Sequence, residues 1–212
     1  MKGMPVRIVI PIFDGVTALD AVGPYEVLRM LPEAEVVFAA EAAGPCADGD
    51  GSLSLVATAA LTDVARADVL LVPGGPGARR RVTDEPLLAW IRRIHATTRW
   101  TTSVCTGSLL LGAAGLLDGL EATTHWSAVG QLESYGATYT ARRVVEQPGG
   151  VITAAGVSSG IDMALRLAEL VAGRTVAEAC QLAIEYDPQP PFDSGAYAKA
   201  SPEVKEYLAA RR

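Results

Sequence analysis

Apolar runs of strand length alternate along this chain with longer segments whose apolar residues fall at helical spacing. Residues 6–12, Val-Arg-Ile-Val-Ile-Pro-Ile, are β-branched and apolar almost throughout, as suits a strand buried on both faces. A turn follows at Phe13-Asp14-Gly15, and Gly23-Pro24 predicts the opening of a helix to about Leu31, with proline in its first turn. Asp20 then falls between the first strand and that helix. Residues 35–40 predict a second strand. Residues 42–51, with Pro45 and Gly49, predict a surface loop carrying Cys46, and residues 52–57 alternate as an exposed hairpin arm would. Residues 68–72 predict a buried strand ending at Pro73-Gly74-Gly75-Pro76-Gly77. From Asp84, an N-cap aspartate, an early proline and apolar Leu87, Leu88, Ile91 and Ile94 predict an amphipathic helix.

Residues 99–104, rich in Thr and Val with Trp100, read as a strand. Residues 106–114 are small, apolar and helix-compatible, and Gly115 is placed to stop them. Residues 123–126 predict a strand end and 127–135 a helix. Short strands are expected at 138–139, 143–146 and 151–154, with a turn at 147–150. Ser158 or Ser159 is placed to cap a helix over 161–172 that Gly173 ends; a second helix, 175–185, carries Cys180. Residues 186–194 are proline-rich and extended, and 202–210 predict a last helix. Strand and helix alternate from end to end, which predicts one α/β domain over 1–212. Its sheet is expected to be doubly wound, mostly parallel and flavodoxin-like, with helices on both faces and residues 186–212 as a tail packed on it.

Composition narrows the class. Of 212 residues, 50% are hydrophobic and 20% charged, a globular balance with a full core. The net charge of −6 and the lack of a basic block beyond Arg79-Arg80-Arg81 argue against nucleic acid as a partner. No apolar stretch reaches the roughly 18 residues of a membrane span, and the first residues lack a signal-peptide core. Three cysteines without CxxC spacing and two histidines give neither a disulfide framework nor a metal site. A cytoplasmic protein with free thiols is expected.

The chemistry centres on Cys105. It sits at a strand-to-helix turn, where a side chain points over the C-terminal edge of a parallel sheet and Gly107 leaves room. The helix N-terminus behind it is expected to favour thiolate. A buried, inert cysteine is the alternative. Three strand ends can meet there, bringing Asp20, Gly74-Gly75 and Cys105. Cys105 would then be the nucleophile and Asp20 the proton donor or acceptor. The amides of Gly75 and Thr106 would polarise an electrophile, with Gly74 beside them. Asp20 against an apolar wall would have its pKa raised. Asp20 could instead cap a helix, Pro73-Gly74-Gly75 could be only a tight turn, and His125 could be a packed histidine rather than a substrate contact. Cys46 reads as a loop thiol and Cys180 as a helix-face core residue.

Taken together, these residues resemble the ThiJ/PfpI superfamily, flavodoxin-like proteins with a reactive cysteine at the elbow. The likeness is greatest to the isocyanide hydratases. It rests on Leu19-Asp20 with Gly23-Pro24, Val72-Pro-Gly-Gly75, Ser103-Val-Cys-Thr-Gly-Ser-Leu109 and Gly112-Ala-Ala-Gly-Leu-Leu117. Ala122-Thr-Thr-His-Trp126, residues 156–162 and the Tyr-Asp-Pro-Gln-Pro-Pro-Phe stretch from Tyr186 complete it. The resemblance implies a homodimer that hydrates an isocyanide to an N-substituted formamide without a cofactor or metal. Cys105 would form a thioimidate, Asp20 would move the proton, and Thr106 would stand beside the thiol. Protease-type members carry His directly after the cysteine; Thr106 here disfavours peptide hydrolysis. Ser158-Ser159 stand where the hydratases usually have other small residues. The alternatives are a small-molecule-binding module like those heading AraC-type regulators, and a redox-sensing thiol.

Overall fold

The computed structural model describes residues 5–210. The first strand, β1 (Val6–Pro11), sends Ile8 and Ile10 to one face and Val9 to the other, all three fully buried. Helix α1 (Ala18–Leu28) returns to β2 (Ala34–Ala40), and β3 (Gly44–Ala47) pairs antiparallel with β4 (Ser54–Ala57). A two-residue β5 (Ala59–Ala60), then β6 (Val69–Val72), the short α2 (Pro76–Arg80) and α3 (Glu85–His95) follow. Next come β7 (Trp100–Val104), α4 (Gly107–Ala113), β8 (Glu121–Ala122), α5 (Val129–Glu133) and β9 (Thr138–Tyr139). The chain closes with β10 (Val144–Gln147), β11 (Val151–Ala154), α6 (Ser159–Ala172), α7 (Arg174–Ala183) and α8 (Pro202–Ala209).

Seven strands form one sheet in the order β10-β11-β7-β6-β1-β2-β5, parallel except for β10, which runs antiparallel to β11. The strand order reverses direction at β1, so β1 and β6 flank a crevice at their carboxyl ends. One face buries Val9, Leu70 and Val72 under α3 and α4 through Leu87, Leu88, Ile91, Ile94 and Leu109 to Leu111. The opposite face buries Ile8, Ile10, Val69 and Leu71 under α1 and α6 through Val27, Leu28, Met163 and Leu167. Each such side chain, fully buried, contributes about 1.5–3 kcal/mol. The predicted doubly wound, flavodoxin-like α/β fold is the one observed.

Several local expectations are corrected. Helix α1 begins at Ala18, before Gly23-Pro24, because the Thr17 amide is anchored on the Gly74 carbonyl at 2.9 Å and the Asp20 amide on Thr17 at 3.0 Å. Asp20 therefore lies in the first helical turn and Pro24 inside the helix, where the small Gly23 and Gly160 let α1 and α6 close on each other. Cys46 is not in a loop: it is buried on β3, because residues 54–57 supply the antiparallel arm. Residues 123–125 leave the strand after Ala122 and enter a 3₁₀ turn at Trp126–Ala128. Ser158 precedes α6 without capping it by its side chain. Asp84 does cap α3, accepting the Leu87 amide at 3.2 Å, and Gly115 and Gly173 end their helices at φ 80° and 87°.

Candidate active site

Because β1, β6 and β7 are neighbours, their carboxyl ends deliver Asp20, Gly74-Gly75 and Cys105 to one place. Cys105 lies between β7 and α4 at φ 58°, a left-handed conformation that costs a non-glycine residue free energy. Its surroundings over-determine that conformation. The Cys105 amide donates to the carbonyls of Ala154 (3.1 Å) and Ala155 (3.0 Å) at the end of β11. Its carbonyl accepts the hydroxyls of Ser108 (3.0 Å) and Thr124 (3.1 Å). A Cβ at Gly107 would run into the Val72 and Pro73 carbonyls, so glycine is what lets α4 start this close to β6.

Asp20 is fully buried. Its Oδ2 accepts the Gly74 amide at 2.9 Å, while Oδ1 has no full hydrogen-bond partner. The carboxyl and the Cys105 thiol interact side chain to side chain. Burial raises the Asp20 pKa to about 7, against the smaller downward pull of the Gly74 amide and the thiol. Burial and the Asp20 charge push Cys105 up to about 12, and the amides of Val157 and Thr106 only partly offset them. Desolvation and the neighbouring carboxylate thus act against the thiolate that the helix N-terminus and two amides favour. Asp20 and Cys105 influence each other's titration and behave as a coupled pair.

The amide donors also differ from those expected. The Gly74 amide is taken by Asp20 and the Gly75 amide by Thr106 Oγ1 at 2.8 Å, so neither is directed at the thiol. The Thr106 hydroxyl donates back to the Gly75 carbonyl at 3.2 Å, so it stitches the glycine turn to the elbow. The amides that favour the Cys105 thiolate electrostatically are those of Thr106 and Val157. Val157, at φ 25°, follows β11, a strand end the sequence analysis did not include among those converging on Cys105. Extending the strand-end rule by one strand would have found it.

His125 stands on the far side of the same elbow, next to Thr124. Its Nδ1 accepts the Ser127 amide at 3.3 Å and lies 2.7 Å from Ser127 Oγ, which in turn accepts Arg79 at 2.7 Å. The imidazole lies where a Cβ on Gly156 would be, and it stacks at a tilt on Trp126, itself stacked on Tyr197. Cavities of about 440 Å³ beside Trp90 and about 130 Å³ beside Cys46 lie elsewhere, with neither Asp20 nor Cys105 in their walls. Among the described residues no cluster of His, Cys, Asp and Glu could hold a metal ion, and no helix is long and apolar enough to cross a membrane.

Residues 6–170, the part that builds both the sheet and this elbow, match the DJ-1/PfpI family. The chain belongs to that family. Among curated relatives, an isonitrile hydratase of Pseudomonas putida is 44% identical over 192 residues, 91% of this chain and 83% of the relative. The transcriptional regulator CdhR of Pseudomonas aeruginosa is 35% identical over 125 residues, 58% of this chain and 37% of its own length. A ThiJ/PfpI family protein from Pseudomonas syringae superposes with a TM-score of 0.93 at 36% identity, covering 99% of this chain and 87% of that one. DJ-1beta of Drosophila melanogaster, at 20% identity and a TM-score of 0.78, shares the fold.

Proposed function

We propose that this DJ-1/PfpI protein hydrates an isocyanide to an N-substituted formamide through Cys105. The observation that carries the reading is the pairing of a buried acid, Asp20, with the elbow thiol, where two backbone amides also favour the thiolate. The similarity to the Pseudomonas putida isonitrile hydratase supports it.

The coupled pair suits this chemistry. An ionised Asp20 accepts the Cys105 proton as sulfur attacks the terminal isocyanide carbon, then returns that proton to the same carbon. The product is a thioimidate in which carbon carries both the sulfur and the hydrogen. Water then adds to the carbon–nitrogen double bond, assisted by Asp20. Collapse of the tetrahedral adduct expels Cys105 and leaves R–NH–CHO. Developing negative charge is met by the Thr106 and Val157 amides. Isocyanide and water supply every atom of the formamide, so the cycle needs no cofactor.

The same reading includes a homodimer. The segment after Tyr186 exposes Phe192, Val204 and Leu208, and α8 buries none of its residues. An ordered arm with its apolar residues outward suits a surface covered by a second copy.

Formamide production from cyclohexyl isocyanide, followed for wild type, Cys105→Ala and Asp20→Asn, tests the proposal. Turnover in wild type that both variants lose supports it, and its absence from wild type with reduced Cys105 overturns it. In that event the similarity to part of CdhR favours a small-molecule-binding role, to be examined by a ligand screen.

A further inference from the structure

Beside the site, three side chains that touch no reacting atom close around the start of α6. Asp162, in the first turn of α6, takes the Arg143 guanidinium on Oδ2 and the Tyr186 hydroxyl on Oδ1, the latter at 3.0 Å. Arg143, just before β10, also reaches Ser158 Oγ at 3.0 Å through its second nitrogen. Ser158 directly follows Val157, whose amide favours the Cys105 thiolate, and the same segment is tied to Cys105 by the Cys105 amide on the Ala154 and Ala155 carbonyls.

Val157 needs outside support. A β-branched residue at φ 25° is strained, and such a conformation persists only where the surroundings hold it. The backbone hydrogen bonds of this turn are long: Ser159 to Gly156 and Gly160 to Val157 at 3.3 Å, and Ile161 to Ser158 at 3.2 Å. On its other side, Gly160 packs against Val104 and Pro24, and Ile161 lies over Gly23. The first turn of α6 is thus wedged between the helix that carries Asp20 and the Arg143–Asp162–Tyr186 cluster.

We propose that Asp162 is a positioning residue for the Cys105 site. Through Arg143 and Ser158 on one side and Tyr186 on the other, it holds the 156–159 turn so that the Val157 amide stays in place at Cys105. The inference rests on Cys105 being the reactive thiol of the proposed function.

The effect is one of position rather than field. Arg143 and Asp162 carry opposite charges, and their side chains are 48% and 31% exposed, so solvent screens what their charges do not cancel. The groups that act on the thiol directly are the Asp20 carboxyl from α1 and the amides of Thr106 and Val157. If the turn loosens, the thiolate loses an amide donor.

The test is alkylation of Cys105 by iodoacetamide across pH, read by mass spectrometry of the Cys105 peptide. Asp162→Asn is expected to move the profile to higher pH and to slow alkylation near neutrality about fivefold, the scale of one weakened hydrogen bond. Tyr186→Phe should move it the same way by less, and Asp162→Glu should recover part of the loss. Arg174→Gln, which breaks the remote Arg174–Glu178 pair, should leave it unchanged. A folded Asp162→Asn variant with the wild-type profile overturns the proposal. If that variant does not fold, Tyr186→Phe decides in the same way. Alkylation needs no isocyanide, so a shifted profile upholds the positioning role even where no formamide forms.

Discussion

Asp20 and Cys105 meet beyond the ends of two different strands, and burial works against the ionisation of both, while the thiol's hydrogen bond partly favours the carboxylate. The carboxyl is held near pKa 7 by burial, and its charge joins burial in pushing the thiol to about 12. Neither group would have such a value alone in water. Four consequences of the surrounding geometry can be measured.

Under the proposed mechanism, replacing Asp20 by Asn removes the proton carrier but keeps the shape. Formamide turnover is expected to fall by about 10²–10⁴-fold, the usual worth of a general acid–base group. In wild type, kcat/KM should rise with pH through about 7, as Asp20 ionises and becomes able to take the thiol proton. A pH–rate profile for both proteins checks this, and the inflection should be missing from the residual activity of the variant.

The same substitution should alter stability with a definite sign. Asp20 binds its proton more tightly folded than unfolded, so its contribution to stability is complete below the unfolded value of 3.8 and is lost as pH rises through about 7. Asp20→Asn abolishes that loss. Urea melts should find the variant gaining on wild type between about pH 4 and pH 8, opposite to what removal of an exposed, ion-paired aspartate would do.

Thr106 joins the elbow to the Gly74-Gly75 turn by accepting the Gly75 amide and donating to the Gly75 carbonyl. Thr106→Val keeps the volume but strands both buried groups, at a cost of about 1–3 kcal/mol by denaturant unfolding. Thr106→Ser retains the hydroxyl and should lose less. Gly74→Ala attacks the same junction from the other side, because its Cβ would stand 2.5 Å from the Thr106 amide nitrogen and 2.6 Å from its hydroxyl. It should cost about 1–3 kcal/mol and lower turnover as the Thr106 amide is displaced.

His125 accepts the Ser127 amide on Nδ1, so a neutral ring carries its proton on Nε2. Ser127 Oγ, which accepts Arg79, lies 2.7 Å from that same nitrogen. Nitrogen-15 NMR should therefore find the Nε2–H tautomer in wild type, and Ser127→Ala should introduce the Nδ1–H form. Gly156→Ala should displace the ring and perturb its signals, since the new Cβ would lie 2.5 Å from His125 Cδ2.

Much of this arrangement is legible in local sequence. The β-branched run at residues 6–12 and the apolar spacing of Leu87, Leu88, Ile91 and Ile94 are satisfied only as a buried strand and a one-sided helix. Asp84, Gly115 and Gly173 mark helix ends through backbone chemistry that depends on a few neighbours. Cysteine between a strand and a small-residue helix, followed by Gly107, is an elbow for the same reason. These features follow from periodicity and from which residues tolerate a given φ.

What the tertiary structure alone decided depends on contacts between residues far apart in the chain. Helix α1 starts at Ala18 because Gly74, after a different strand, receives the Thr17 amide. Cys46 is buried because residues 54–57 fold back on it. A hydrogen-bond donor cannot serve two sites fully, and only the assembled turn shows that Asp20 and Thr106 take the Gly74 and Gly75 amides, leaving those of Thr106 and Val157 to favour the thiolate. The thiol's charge state is likewise a property of the fold. A helix N-terminus favours thiolate, but burial and the Asp20 carboxylate oppose it more strongly, and both arise only when the strands are brought together. Sequence by itself thus determined the sheet and the elbow and offered Asp20 and Cys105 as candidates; packing decided that the two meet and that the Gly74 and Gly75 amides are already taken, because contacts and desolvation act through space rather than along the chain.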